Sequence, residues 1–252
     1  MDLSLKGKAA IVGGSSEGIG FAIARLLAQE GAKVALVARR KENLELAAKT
    51  ISEESGAEVL AIPADIRKAG DCERIVASAT ERFGRLDILV NNDGAPPLGL
   101  LAEFDDAAWA AAVDRNLMSV VRLSRAALPH LKQAGGGAIV NITALSALQP
   151  IAKFGLSVST WAGVIGYAKT LSLEVAADKI TVNTICPGRI ATGRIAKVFD
   201  EQAAQLAKQV PLGRLGKPEE IAGLVAFLAS PWGAYLTGAT FHVDGGRRSS
   251  LL

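Results

Sequence analysis

The segment Gly13-Gly-Ser-Ser-Glu-Gly-Ile-Gly20 places Gly14, Gly18 and Gly20 at G-x3-G-x-G spacing. Glycines in that pattern let a backbone turn tightly and come close to a large anion. Where a strand precedes and a helix follows, the unpaired N–H groups and the positive end of the helix stabilise a pyrophosphate. Ala9 to Gly13 reads as a short apolar strand and Gly18 to Gln29 has a helical period. Gly14, Ser16, Gly18, Ile19 and Gly20 are therefore candidate dinucleotide-binding residues. The same glycines would also suit a plain strand-to-helix turn, so the rest of the chain has to decide.

The next apolar run, Val34 to Val37, ends on Ala38-Arg39-Arg40. A site for a free ribose 2′-hydroxyl places an acidic residue there. An arginine instead suits a 2′-phosphate, through charge-assisted and often bidentate bonds. Arg39 is the candidate phosphate reader, and the reading favours NADP(H) over NAD(H). Glu17 weighs the other way if it lies near the phosphate.

These residues need a scaffold, and the chain supplies one in alternation. After the charged helical stretch Lys41 to Glu54 come apolar runs at Val59–Ile62, Ile88–Val90, Ala138–Ile142, Thr181–Ile185 and Thr240–Val243, with helices between. Continuous apolar strands separated by helices predict an α/β fold, a Rossmann-type doubly wound parallel sheet of seven strands covered on both faces. Residues 1–252, half of them apolar, suffice for a single domain. The one long irregular region is Pro187 to Pro211.

The balance of 28 basic and 25 acidic residues gives a formal charge of +3 without blocks. It argues against nucleic acid or a membrane surface as partner and leaves a small-molecule substrate. Cys72 and Cys186 have no metal-like spacing and suit a reducing compartment, so no metal site is expected. The start lacks a basic segment followed by an apolar one, and no apolar stretch of about 18 residues occurs, so the expectation is a soluble, cytoplasmic protein.

Beyond the glycine turn, the chain has Asp65 after the third strand, Asn91-Asn-Asp-Gly94 after the fourth and Asn116 in a long helix. It also has Pro187-Gly188 after the sixth strand and Asp244-Gly-Gly246 near the end. With these motifs in this order over residues 5 to 246, the chain resembles the classical short-chain dehydrogenase/reductase family, and within it the 3-oxoacyl carrier protein reductases. The resemblance implies that Asp65 and Ile66 line the adenine, and Asn92 to Gly94 the adenosine ribose. Ile190 and Thr192, following Pro187 and Gly188, would meet the carboxamide and phosphates. It also implies a substrate lid over about 188–213 and a homotetramer packed through helices near 106–133 and 155–177. Two departures are Gly13 for a usual Thr and Asp93 for a usual Ala.

In that family a tyrosine transfers the proton, a lysine four residues later lowers its pKa, a serine orients the carbonyl and an asparagine completes a water relay. A free phenol has a pKa near 10, so the ammonium is needed for work around neutrality. Aligned without a gap between Gly137–Ile142 and Ala162–Asn183, the serine position is Ala144, the tyrosine position Ser157 and the lysine position Trp161. Asn116 and Ser157 are the catalytic candidates left. Tyr167 and Lys169 are two residues apart on a helix and point about 200° from one another, so they are no shifted pair. Thr143 should face the opposite side of its strand from position 144. Ser146 lies just beyond the strand. Asp93, Lys153, Arg189 and Arg194 are the charged residues with reach toward the cleft, while His130 and His242 belong to peripheral structure. Two functions stay open: an atypical NADP(H)-dependent oxidoreductase, or a catalytically inactive cofactor-binding protein, including a mixed oligomer with an active relative. A cofactor-independent lyase or isomerase using Asp93 is a third and weaker reading.

Overall fold

The computed structural model describes residues 2–193 and 200–250, the side chains of 200–203 excepted. Seven strands form one parallel sheet: β1 (Ala9–Gly13), β2 (Lys33–Ala38), β3 (Val59–Pro63), β4 (Ile88–Asn91), β5 (Gly137–Ile142), β6 (Ile180–Pro187) and β7 (Thr240–Val243). Their order across the sheet is β3-β2-β1-β4-β5-β6-β7, the doubly wound arrangement expected from the alternating pattern.

The strands β1, β2, β4 and β5 are buried almost throughout and read as apolar runs for that reason, while the edge strands β3 and β7 are mostly half-buried. On one face α1 (Gly18–Gln29) packs on α8 (Pro218–Ala229), with Ile23 and Leu27 in the same core as Ile221 and Val225; α2 (Lys41–Ser55) adds Leu44 and Ile51. The other face is covered by α3 (Ala69–Phe83), α5 (Ser119–Gln133) and α6 (Gly155–Glu174), through Ile75, Leu123, Leu131 and Leu171. Full burial of each such side chain stabilises the fold by about 1.5–3 kcal/mol.

Helix α4 (Asp106–Val113) is capped by the Asp105 carboxylate, which accepts the Ala108 N–H at 2.8 Å. It runs into α5 through a π turn, Asp114–Met118, that contains Asn116. A π turn widens the helix locally and turns a side chain off the regular register, a common device at functional sites. At the opposite end of the sheet Asp87 ties three elements together. Its carboxylate accepts the Ala9 N–H at 2.9 Å, both donor groups of one Arg85 edge, and the Lys8 ammonium at 3.1 Å.

The region from Pro187 to Pro211 is less irregular than its sequence suggests. Pro187 closes β6, and Asp200–Ala207 forms a helix, α7. Asp-Glu-Gln-Ala-Ala-Gln-Leu-Ala is made of good helix formers with acidic residues at the N-terminal end, and that outweighs the absence of a clear apolar stripe. Residues 194–199, part of the expected lid and including Arg194, lie outside the described residues.

Candidate cofactor and active site

Strand order reverses at β1, which pairs with β2 on one side and β4 on the other, and a cleft of about 680 Å³ opens at the carboxyl ends of these strands. Such a switch point leaves a crevice because the connections leave to opposite faces. The β1–α1 turn forms its floor. Gly14 has a φ of +57°, which favours glycine. A Cβ on Gly20 would come within 2.3 Å of the Gly14 carbonyl oxygen, so the first turn of α1 can press on the loop only with glycine there. No side chain caps the N-terminus of α1, and its leading N–H groups are available to an anion. Gly14, Ser16, Gly18, Ile19, Arg39, Asp65, Ile66, Asn92, Gly94 and Thr192 all line this one cleft. Asn92 is fixed by an Nδ2 bond to the Gly13 carbonyl at 3.0 Å. Gly20 lies beneath the floor instead of lining it.

At the β2 end, Ala38, Arg39 and Arg40 line the cleft, with Arg39 exposed. Arg40 pairs with Glu17 at 3.4 Å, so the acid at the rim is directed to its neighbour. Arg67, which sequence reasoning passed over, also lines the cleft and holds both oxygens of Asp65. That bidentate pair lowers the Asp65 carboxyl pKa to about 2, against the opposing effect of burial. The signal was present in Asp65-Ile-Arg67, because a guanidinium two residues on reaches back readily to a carboxylate at a strand end.

Beside the cleft, a small cavity of about 20 Å³ is bordered by Asn116, Thr143, Trp161, Asp93 and Arg115, enough for about one water. Asn116 is 4 % exposed; its Nδ2 donates to Thr160 Oγ1 at 2.8 Å and its Oδ1 is buried without a partner. Trp161, 9 % exposed, turns its ring to the same cavity. Asp93 borders both spaces, and burial raises its pKa although Arg115 Nε lies 3.9 Å away. Arg115 itself lines the cleft and donates to the Ala95 carbonyl at 3.1 Å.

The positions that the resemblance assigns to proton transfer do not converge on a donor. Ser157 is 0 % exposed, its hydroxyl has no partner, and it borders neither space. Ala144 is half-buried. Thr143 is turned to the β6 side, with Oγ1 donating to the Ile185 carbonyl at 3.2 Å and 3.1 Å from Cys186 Sγ. Ser146 is buried in the turn after β5, also unpartnered. Tyr167 packs on the α3–α5 face while Lys169 is exposed, as their angular separation requires. Lys153 is exposed and borders neither space.

Besides Gly20, three expected cofactor contacts are not among the residues lining the cleft. Pro187 is buried as the last residue of β6, Gly188 packs against Asp244, and Ile190, 5 % exposed, lines a second cavity together with Arg189 and His242. The loop after β6 bridges to Gly216, with Ala191 N–H donating to the Gly216 carbonyl at 2.8 Å, and that pairing turns Ile190 away from the cleft. His130 lies in the last turn of α5, away from both spaces bordering the cleft.

Residues 14–248 match the family described as enoyl-(acyl carrier protein) reductase. Among curated proteins, the chain is 41 % identical to the 3-oxoacyl-[acyl-carrier-protein] reductase of Vibrio cholerae, covering 97 % of this chain and 98 % of that protein. It is 36 % identical to dehydrogenase/reductase SDR family member 4 of Oryctolagus cuniculus, covering 98 % and 96 %. Among solved structures, L-sorbose reductase from Gluconobacter frateurii, complexed with NADPH and L-sorbose, superposes over the full length of both chains with a TM-score of 0.95 at 35 % identity.

Proposed function

This chain belongs to the short-chain dehydrogenase/reductase family, and on that premise we propose that it is an atypical NADP(H)-dependent oxidoreductase working without the family's Ser-Tyr-Lys set. The observation that carries the reading is the cleft itself: glycine turn, uncapped α1 N-terminus and Arg39 beside Ala38 line one space that fits a 2′-phosphorylated dinucleotide. NADPH, when bound, would supply a hydride. The chain's part is to hold the pyrophosphate on α1, to read the 2′-phosphate with Arg39 and to position an acceptor, and positioning alone contributes heavily to rate. With Ser157 enclosed and Trp161 lacking a charge, no side chain at those positions delivers a proton, so the reading points to acceptors that need little acid assistance, such as iminium-like or otherwise activated ones.

Titration with NADPH and NADH tests this. NADPH should bind more tightly, and Arg39→Asp should weaken it and narrow the preference; equal or better NADH binding overturns the assignment. NADPH oxidation across a panel of activated acceptors tests the redox step.

A second reading, a cofactor-binding protein without activity of its own, is favoured by the joint burial of Ser157 and Trp161. It predicts no turnover with any acceptor and, in the mixed-oligomer version, a tyrosine-bearing relative that co-purifies in fixed ratio. Except in the mixed-oligomer version, we propose a homo-oligomer, most simply a tetramer packed through α4–α5 and α6, and light scattering showing a stable monomer at micromolar concentration would refute it.

A further inference from the structure

The second and third strands end side by side, with Ala38 level with Pro63, and Asp65-Ile66-Arg67 continues from β3 along the wall of the cofactor cleft next to Arg39. In a 2′-phosphorylated nucleotide the base is carried on C1′, the ribose carbon adjoining C2′. A 2′-phosphate read by Arg39 at the end of β2 therefore leaves the base at the end of β3, against this segment.

An adenine presents its 6-amino group as a donor, and a carboxylate at that strand end is the acceptor that would select it. The Asp65 carboxylate is already full. Its Oδ1 accepts the Arg67 Nε–H at 2.8 Å and the Arg67 backbone N–H at 3.2 Å, while Oδ2 accepts Nη2 and, at 3.1 Å, a share of the Nε–H. Those contacts take up the roughly four lone-pair positions of a carboxylate. The loop is also braced against turning the acid outward. The Asp65 N–H donates to Asp71 Oδ2 at 2.7 Å, and the Lys68 N–H closes the turn on the Asp65 carbonyl at 2.9 Å. The Arg67 carbonyl accepts Arg122 Nη1 at 2.8 Å, and Arg122 is anchored in turn by Nη2 on Asp114.

We propose that Arg67 sets the base selectivity of the cleft by withdrawing Asp65 from the base. On the cofactor reading, from which this follows, the ligand class is then the 2′-phosphorylated purine dinucleotides, 6-amino and 6-oxo alike, and not NADPH alone.

Fluorescence titration of the whole protein with NADPH and with reduced nicotinamide hypoxanthine dinucleotide phosphate tests the proposal, read as the ratio of the two dissociation constants. The two ligands carry the same charge. Loss of a cation from the cleft, or a general loosening of the loop, lowers both affinities and leaves the ratio alone. In the unaltered protein the ratio should lie within about threefold of one. Arg67→Ala frees the carboxylate and should move the ratio about tenfold toward NADPH, the worth of one hydrogen bond to a charged acceptor. Arg67→Lys, whose ammonium lacks the fork, should move it in the same direction and carries the comparison if Arg67→Ala fails to fold. Adding Asp65→Ala to the Arg67→Ala protein should return the ratio to its unaltered value. A preference of that size for NADPH in the unaltered protein, or a ratio unmoved by the Arg67 variants, would overturn this assignment alone. Saturable binding of neither dinucleotide would overturn the cofactor reading together with it.

Discussion

Asn116 and Thr160 are joined across 44 positions of sequence by a 2.8 Å bond from Nδ2 to Oγ1, which fastens the π turn to the first half of α6. Thr160 in turn donates to the Leu156 carbonyl at 2.7 Å. Thr160→Val keeps the shape and leaves the Asn116 amide with a buried donor unmet. The expected cost is about 1–3 kcal/mol in urea unfolding, and a change within a few tenths would mean that a water in the adjoining cavity replaces the hydroxyl.

Restoring the family's proton-transfer residues should be strongly non-additive. Positions 157 and 161 share a helix face, so Ser157→Tyr alone forces a ring into a filled space beside Trp161, overpacking by about 1–3 kcal/mol. Trp161→Lys removes the obstruction and supplies the charge that lowers the phenol pKa. The triple change Ala144→Ser, Ser157→Tyr, Trp161→Lys should therefore raise ketone reduction well above any single change, general acid catalysis contributing about 10²–10⁴. Robust ketone reduction by the unaltered protein, indifferent to Ser157→Ala, would defeat the reading.

Asp93 lines the cleft, and burial raises its pKa. Above that value the carboxylate is ionised and repels a dinucleotide's phosphates; below it the repulsion is gone. NADPH affinity should fall as pH rises through this titration, and Asp93→Asn should bind NADPH more tightly at neutral pH with that step removed. A wild-type and variant pair with parallel pH profiles would show that Asp93 does not face the ligand.

For Asp87, burial raises the pKa, but Arg85, the Ala9 N–H and Lys8 together hold it below the ordinary carboxylate value. A group with a lowered folded pKa stabilises the fold above its unfolded value, about 3.9, and that contribution is lost as pH falls through the folded one. Asp87→Asn should cost about 1.5–3 kcal/mol near neutrality, because the buried carboxylate is lost as acceptor while Arg85 and Lys8 remain partly solvated. The deficit should start to shrink as pH falls below the unfolded value of about 3.9 and should close as pH passes through the lower folded one, and urea unfolding at pH 7 and about pH 3 measures both.

The sequence by itself determined the seven strands, their alternation with helices and the phosphate-facing turn, because apolar periodicity and glycine spacing are local. Each of the seven apolar runs is a strand, and the α1 boundaries coincide with the reading. The residue types at 144, 157 and 161 were equally plain from local alignment. Only the tertiary structure decided which side chains meet. It put Asn116 on Thr160, and Ile190 with Arg189 in a second cavity away from the cofactor cleft. A partner 44 residues distant depends on how a π turn rotates one helix against another. The orientation of Ile190 depends on a backbone bridge to Gly216, and neither leaves a mark in local spacing.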